Sequence, residues 1–398
     1  MRIGIAGAGI GGLAAAAFLA SDGHEVTVHD RFETPQPVGS GLVIQPVGRE
    51  MLRLAGAEDA ETLGQRVTRM EGLESDSGRV VLRVAYGKTE DRQGLAIHRA
   101  ALHHALLGAA ERAGARFALG HRVIGRDGLR LLFADGRSDA FDLVVDALGA
   151  GSVLSPLVAR PLPYGAVWAT LPWPDDAPMP PDMLNQRYRR ADRMIGVLPV
   201  GRLPGSAQRL AAVFYSLPAD GEAEWRARPF ADWRAEALSL WPQMAAFLTD
   251  DVIHDAFTFA RYGHGSLRRT WDEGIVHIGD AAHRASPQLG QGANMALLDA
   301  RALQLALRDR PLSEALPRYA SARRWHVAAY QALSASFTPQ YQSDSRFLPV
   351  VRDRLLAPMS QVPPLPRILT RLVCGDLLPP MPALTPRAVR AVSAARRG

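Results

Sequence analysis

The chain has 398 residues, of which 47% are hydrophobic, enough to bury a large core and to form two domains. Its one cysteine, Cys374, excludes an internal disulfide and fits a reducing cytoplasm, and the N-terminus enters a strand at Arg2-Ile3 rather than a signal peptide. The formal net charge of +6 is concentrated at one end: residues 346–398 carry nine arginines against Asp353 and Asp376, which leaves the body at −1, with no nucleic-acid footprint.

The first thirty-odd residues, "RIGIAGAGIGGLAAAAFLASDGHEVTVHDR", read as strand, turn, helix, turn, strand. Gly7, Gly9 and Gly12 form G-x-G-x-x-G. In that pattern the first glycine permits a tight turn, the second lets a pyrophosphate approach the backbone, and the third lets the helix lie close to the strand. Free N–H groups and the helix dipole then face the phosphates. The apolar run Leu13 to Ala20 is too short to span a bilayer. The second strand, Glu25 to His29, ends at Asp30, where a carboxylate can accept both ribose hydroxyls. The fingerprint alone leaves FAD and NAD open.

Three segments follow: "GSGLVIQPVGREMLRLAGA" (39–57), "AIHRAALHHALL" (96–107), and strands over 122–147 with an Asp135-Gly136 hairpin. "FDLVVDALGAGSVLS" (141–155) is another strand and turn. From about Pro156 to Arg261 short strands alternate with Pro-rich turns. A helical stretch, Glu222 to Leu248, carries Trp225, Trp233 and Trp241 at eight-residue spacing, which reads as core. Tyr188, Tyr215 and Tyr262 are the tyrosines that could meet a phenolic substrate. In "GDAAHRASPQLGQGANMALLDA" (279–300) a strand over Gly274 to Ile278 ends on Gly279-Asp280, and a Gly-rich loop leads to a helix starting near Gln291. A helix over Arg318 to Phe337 precedes a tail with nine prolines from Pro349 onward. The tail reads either as short helices packed on the substrate domain or as a weak membrane-surface contact.

Taken together, these motifs resemble the single-component FAD-dependent monooxygenases, the para-hydroxybenzoate hydroxylase family. The resemblance rests on GAGIGG with Asp30, on 39–57, on Arg99 in 96–107, and most specifically on 279–300. It implies an α/β fold: a discontinuous Rossmann-like FAD domain (1–155 and 266–330), a β-sheet substrate domain (156–265) and a C-terminal helical tail (331–398). It implies that Gly7, Gly9, Gly12, Asp30, Arg31, Arg99, Asp280, Pro287, Gly290, Gly292, Ala293 and Asn294 bind the cofactor. Asp280 would take a ribityl hydroxyl, Pro287 would lie beside the isoalloxazine, and Gly290 and Gly292 would bring N–H groups to the pyrimidine ring. Asn294 would hydrogen-bond that ring, and the helix start would favour the anionic reduced flavin. His283 reads as structural, half-buried and bonded to backbone. No catalytic base presents itself beyond the flavin-positioning loop, and no metal site is implied.

The implied activity is hydroxylation or epoxidation of a small aromatic or electron-rich molecule by O₂ through a C4a-hydroperoxyflavin, with NADH or NADPH as reductant. The family's Asp and Arg are replaced by Leu148 and Ser155, which weakens the nicotinamide case. An FAD-dependent oxidase or reductase on the same scaffold, and a flavin-free binding protein, are the rival readings.

Overall fold

The computed structural model describes residues 1–33, 40–382 and 384. Gly39, in the second motif, and residues 383 and 385–398 of the tail lie outside the described residues.

Strand β1 (Arg2–Ala6) is followed by helix α1 (Ile10–Ser21) and strand β2 (Glu25–Asp30). A six-stranded sheet runs 271–272, 275–277, 143–146, β1, β2, 116–119. All its pairings are parallel except that of the outermost strand, 271–272. Parallel strands buried on both faces need apolar side chains throughout, and β1 and 143–146 supply them. Helix α1 is buried from Gly12 to Ala20 because it is packed between this sheet and helices 99–112 and 292–307. Its four consecutive alanines fit that position, where a long side chain would hold the neighbouring elements apart.

The second sheet has eight strands in the order 283–284, 257–266, 160–172, 210–218, 193–199, 183–189, 69–74, 80–85. Residues 69–85, read from sequence with the first FAD segment, belong to this second sheet: 69–74 pairs parallel with 183–189. Their alternating pattern fits either sheet, and only this long-range pairing assigns them. One face is covered by the Trp helices, which Pro229 and Pro242 break into Glu222–Ala227, Phe230–Leu240 and a 3₁₀ turn, Pro242–Ala246. Trp225, Trp233 and Trp241 are buried there with Val167, Ile195, Val213 and Tyr215. The other face, with Trp168, Leu198 and Ala212, packs against strands 41–44 and 94–98 of the FAD side. Ser40 Oγ donates to the Ala169 carbonyl at 3.1 Å across this junction.

Helix Leu312–Tyr341 contains the stretch expected at 318–337 and extends it at both ends. The helical run 348–359 and helix Leu365–Cys374 follow, and both pack on strand 80–85 at the edge of the second sheet.

The Trp cluster should carry much of the second sheet's stability. Trp233→Ala is expected to cost about 3–5 kcal/mol in urea unfolding. Trp325→Ala, at a side chain 69% exposed, should change stability by less than about 0.5 kcal/mol. Similar losses in the two variants would show that this core does not limit stability.

Candidate functional site

The sheet's connections reverse direction at β1, whose neighbours are β2 on one side and 143–146 on the other. A crevice opens there beyond the carboxyl ends of the strands. It is a cleft of about 540 Å³. Gly7, Gly9, Asp30, Arg31, Arg99, Asp280, Gly292 and Ala293, eight of the twelve expected cofactor residues, line it.

Each glycine of the fingerprint has a distinct reason. Gly7 has φ +106°, and a Cβ there would press on the Ala147 carbonyl oxygen 2.5 Å away. At Gly12 a Cβ would collide with the Gly7 carbonyl, so this glycine sits under the cleft and sets the helix-to-strand distance. Gly9 has nothing within 4 Å of its Cβ position, which leaves the backbone open to the cleft. Asp30 accepts Ala8 N–H at 2.7 Å and Phe32 N–H at 3.1 Å, which fixes its carboxylate at the mouth of the turn. Arg31, over the Phe32 ring at 4.6 Å, lies beside it.

On the opposite wall, the expected strand is Ile275–His277, followed by a 3₁₀ turn, Gly279–Ala281. Asp280 faces the cleft from that turn. The protein around the cleft partly desolvates this accessible carboxylate and raises its pKa, against the opposing effect of His283, Arg99 and Arg284. Behind it, Asp299 Oδ2 accepts Gly279 N–H at 2.9 Å and bonds His283 Nε2 at 2.5 Å, while Asp299 Oδ1 accepts Arg323 Nε–H at 2.7 Å. Burial opposes the charge on Asp299, but His283 and Arg323 outweigh it and hold the carboxyl far below its ordinary range. Burial likewise opposes the charged imidazole, and Asp299 outweighs it to raise the His283 pKa. His283 is structural, as expected, but it is fully enclosed and its partner is a carboxylate rather than backbone.

The loop 287–294 corrects two expectations. Asn294 is completely buried, and its side chain is used within the protein: Oδ1 accepts Gln45 N–H at 2.8 Å, and Nδ2 donates to the Gly290 carbonyl at 2.9 Å. It ties the 43–45 segment to the loop and does not line the cleft. Pro287 and Gly290 are also absent from the cleft wall. Gly290, at φ +60°, makes the left-handed turn that ends Pro287–Leu289, and Gly292 begins the helix with open space at its Cβ position. The helix cap is Gln291, as expected.

The substrate tyrosines are corrected as well. Tyr215 lies on the face turned away from the FAD side, where its hydroxyl donates to Glu236 at 2.8 Å. Tyr188 is sealed by Tyr341, 5.3 Å away between ring centroids, and by the Arg352 guanidinium at 5.1 Å. Tyr262 is half-buried on the other face and accepts Trp168 Nε1–H at 2.9 Å.

Three features of the site had escaped sequence reasoning. Buried Asp146, at the end of its strand as Asp30 is at the end of β2, bonds His277 Nδ1 at 2.7 Å and accepts Ser152 Oγ–H at 2.7 Å. The strand-end acid was the available signal. His29 lines the cleft between Phe133 and Phe141, and burial holds its pKa down at about 4, so it is a neutral wall. Gln45 is fully buried. Its Oε1 accepts Tyr86 O–H at 2.6 Å, and its Nε2 has no partner.

These residues fit FAD. The open backbone at Gly9 and Gly292, the unpaired first-turn N–H groups of two helices, and three arginines (Arg31, Arg99, Arg122) suit an elongated diphosphate. The orphan Gln45 Nε2 lies 3.3 Å from the Cβ position of Gly290, so a buried donor waits beside the loop.

Asp30→Ala should weaken FAD binding about 10- to 150-fold, the loss of hydrogen bonds to a charged acceptor. Gly292→Val should also lose FAD, by filling the cleft. Unchanged affinity in Asp30→Ala, read by flavin fluorescence titration, would reject the ribose assignment. Asp299→Asn leaves Arg323 buried without its charge partner and should cost about 3–5 kcal/mol. Because the His283 pKa is raised on folding, its stabilising contribution is complete below its ordinary pKa of 6.5 and fades as pH rises through the folded value. Wild-type Tm should therefore decline above pH 6.5 more steeply than that of His283→Gln, and parallel curves would contradict the charge on His283.

Comparison with known proteins agrees with the site. The FAD binding domain family profile matches residues 1–128 and 189–333. An FAD-dependent urate hydroxylase of Klebsiella pneumoniae is 30% identical over 346 residues, spanning 81% of this chain and 86% of that protein. A kynurenine 3-monooxygenase of Xanthomonas campestris pv. campestris is 31% identical over 357 residues, spanning 82% of this chain and 76% of that protein. Among solved structures, Klebsiella pneumoniae HpxO complexed with FAD and uric acid superposes with a TM-score of 0.79 at 22% identity, covering 95% of this chain and 96% of that one, a likeness of fold. The tetrameric form of 2-methyl-3-hydroxypyridine-5-carboxylic acid oxygenase gives a TM-score of 0.75 at 20% identity, covering 91% of this chain and 98% of that one. With an FAD cleft built by the residues the motifs singled out, and with relatives of this identity along most of its length, the chain belongs to the FAD-dependent monooxygenases of the para-hydroxybenzoate hydroxylase type.

Proposed function

We propose that this monooxygenase hydroxylates a small, largely apolar aromatic molecule, with NADH or NADPH as reductant. One observation carries the substrate class. Trp168 and Leu184 each pack on two separate apolar clusters, Phe337 and Leu369 likewise bridge pairs of clusters, and all four are only partly buried. They join the second sheet, helix 312–341 and helix Leu365–Cys374 in one apolar junction, and Leu289 of the Pro287–Leu289 turn packs in the same cluster as Phe337 and Leu369. A partly buried apolar junction of this kind, beside the Tyr262 hydroxyl that accepts Trp168 Nε1–H, suits a flat ring better than a polyanion. The urate and kynurenine named for the relatives are both small aromatic compounds, which supports the same reading.

Bound FAD would supply the hydride acceptor and the oxygen activation. This chain's residues would hold the diphosphate at the two helix starts, the ribose at Asp30 and the ribityl chain at Asp280. Asn294 would keep Gln45 and Gly290 in register beside the ring, and the apolar side chains of the junction would keep water out. Buried Cys374, with its thiol pushed up to about 12 by burial, fits a cytoplasmic setting and takes no part.

The neutral residues at 148 and 155 favour a second reading, an oxidase or reductase. Ser155 donates to the Ala281 carbonyl at 2.6 Å, in place of the family's arginine. The test is a panel of aromatic compounds scored by stimulated NAD(P)H consumption, then turnover of the best compound under ¹⁸O₂. Label in the product is expected; unlabelled product with the ¹⁸O recovered in hydrogen peroxide would place the enzyme among oxidases, and unlabelled product with no O₂ consumed among reductases. Phe337→Ala should retain FAD and lower kcat/KM for that compound about 5- to 150-fold, the loss of about 1–3 kcal/mol of apolar contact. An unchanged value would move the substrate elsewhere.

A further inference from the structure

We propose that residues 346–378 form a docking surface for an anionic phospholipid bilayer. Among the described residues fifteen large hydrophobic side chains are exposed, and eight of them fall between Phe347 and Leu378. Phe347 is 71% exposed and Val362 59%. Scattered exposed apolar residues need no explanation, but a concentration of this kind on one segment does. Six of the eight, Phe347, Val350, Leu355, Leu356, Met359 and Val362, lie on the helical run 348–359 and its flanks. This run and helix Leu365–Cys374, which exposes Ile368, both pack on the edge strand 80–85 and so lie beside each other.

The charge on this surface has one sign. Arg346, Arg354, Arg367 and Arg371 are exposed. Of the two acids in 346–378, Asp353 pairs with buried Arg352 at 2.6 Å, and Asp376, itself buried, pairs with Arg92 at 2.9 Å; Asp344, just before the segment, accepts Tyr164 O–H at 2.5 Å. Beyond the described residues the sequence adds Arg387, Arg390, Arg396 and Arg397 and no acid. Large aliphatic side chains set among arginines suit the interface of a bilayer, with the apolar groups at the acyl boundary and the guanidinium groups at the phosphates. No helix among the described residues is long and apolar enough to cross a membrane, so the contact is peripheral.

Two other occupants fit less well. Two-fold pairing with a second copy would set the same arginines against each other. A protein interface of ordinary size carries about ten direct hydrogen bonds, whereas Gln361 is the only uncharged hydrogen-bonding side chain classed as exposed from 346 to 378.

The experiment is co-sedimentation of the full FAD-loaded chain with vesicles of phosphatidylcholine alone or mixed with phosphatidylglycerol, at low and high salt. Binding is expected on the phosphatidylglycerol vesicles at low salt, with little on phosphatidylcholine alone. The double variant Arg354→Gln, Arg367→Gln should bind about tenfold more weakly or worse. Leu355→Ser with Met359→Ser should do the same, with flavin absorbance and circular dichroism unchanged in both. Failure of the wild type to sediment with phosphatidylglycerol vesicles at low salt would overturn the proposal, as would binding that neither variant weakens. A dimer in sedimentation velocity that Leu355→Ser with Met359→Ser dissociates, without vesicle binding, would assign the surface to a second copy instead. Retention on immobilised polyglutamate without vesicle binding would assign it to an acidic protein.

Discussion

Asp299 is a carboxylate with no access to water, and the groups that neutralise it come from two other parts of the chain. It projects from helix 292–307, whose first residues line the cofactor cleft. Through Gly279 N–H and His283 it holds the turn that presents Asp280, and through Arg323 it holds the long helix 312–341. Arg323 reaches further, donating to the Pro380 carbonyl at 2.7 Å. A buried charge that loses one partner becomes costly, so these segments are bound to one another more strictly than apolar packing alone would require. The cleft inherits its shape from that constraint. Gly279 can take its φ of +58° there because it has no side chain and because its N–H is held in place.

The same device recurs at the neighbouring strand. Asp146 closes strand 143–146, accepts Leu148 N–H at 3.1 Å and Ser152 Oγ–H, and meets His277 from the adjacent strand. Two strand ends are thereby fixed side by side, each by an acid facing into the protein, while Asp30 and Asp280 face the cleft. Burial and exposure divide four similar carboxylates into two that build the site and two that face its contents.

Much of this was legible in the sequence because the relevant constraints are local. Gly7, Gly9 and Gly12 are demanded by one turn, and Asp30 follows at a distance set by one helix and one strand. The loop 287–292 carries its own turn chemistry in Pro287 and Gly290. What failed was what depends on remote partners. Asn294 looked free to meet a ligand, yet its amide spans from Gly290 to Gln45, nearly 250 positions away in the chain. Tyr188 and Tyr215 sit on strands whose apolar alternation does not say which face meets the cofactor side, and one is covered by Arg352 from the C-terminal helices. Residues 69–85 carry a strand pattern that fits either sheet. Asp299 was visible as an acid in an apolar helix, a pattern that requires a buried cation, although the sequence could not say that Arg323 would provide it.

The departures at Leu148 and Ser155 show how a motif can lose its charges and keep its geometry. Leu148 N–H still caps Asp146, and its side chain packs with Val123, Leu131 and Phe133 while also lining the cleft. Ser155 reaches the Ala281 carbonyl, next to Asp280, so the segment after strand 143–146 remains tied to the turn that presents Asp280 to the cleft. A serine hydroxyl makes that tie with one neutral hydrogen bond and brings no charge to the rim. The cations left to balance a diphosphate are therefore Arg31, Arg99 and Arg122, all on the cleft wall. These three would lie toward the phosphates of a bound FAD, while residues 148–155 add no charged side chain to that wall.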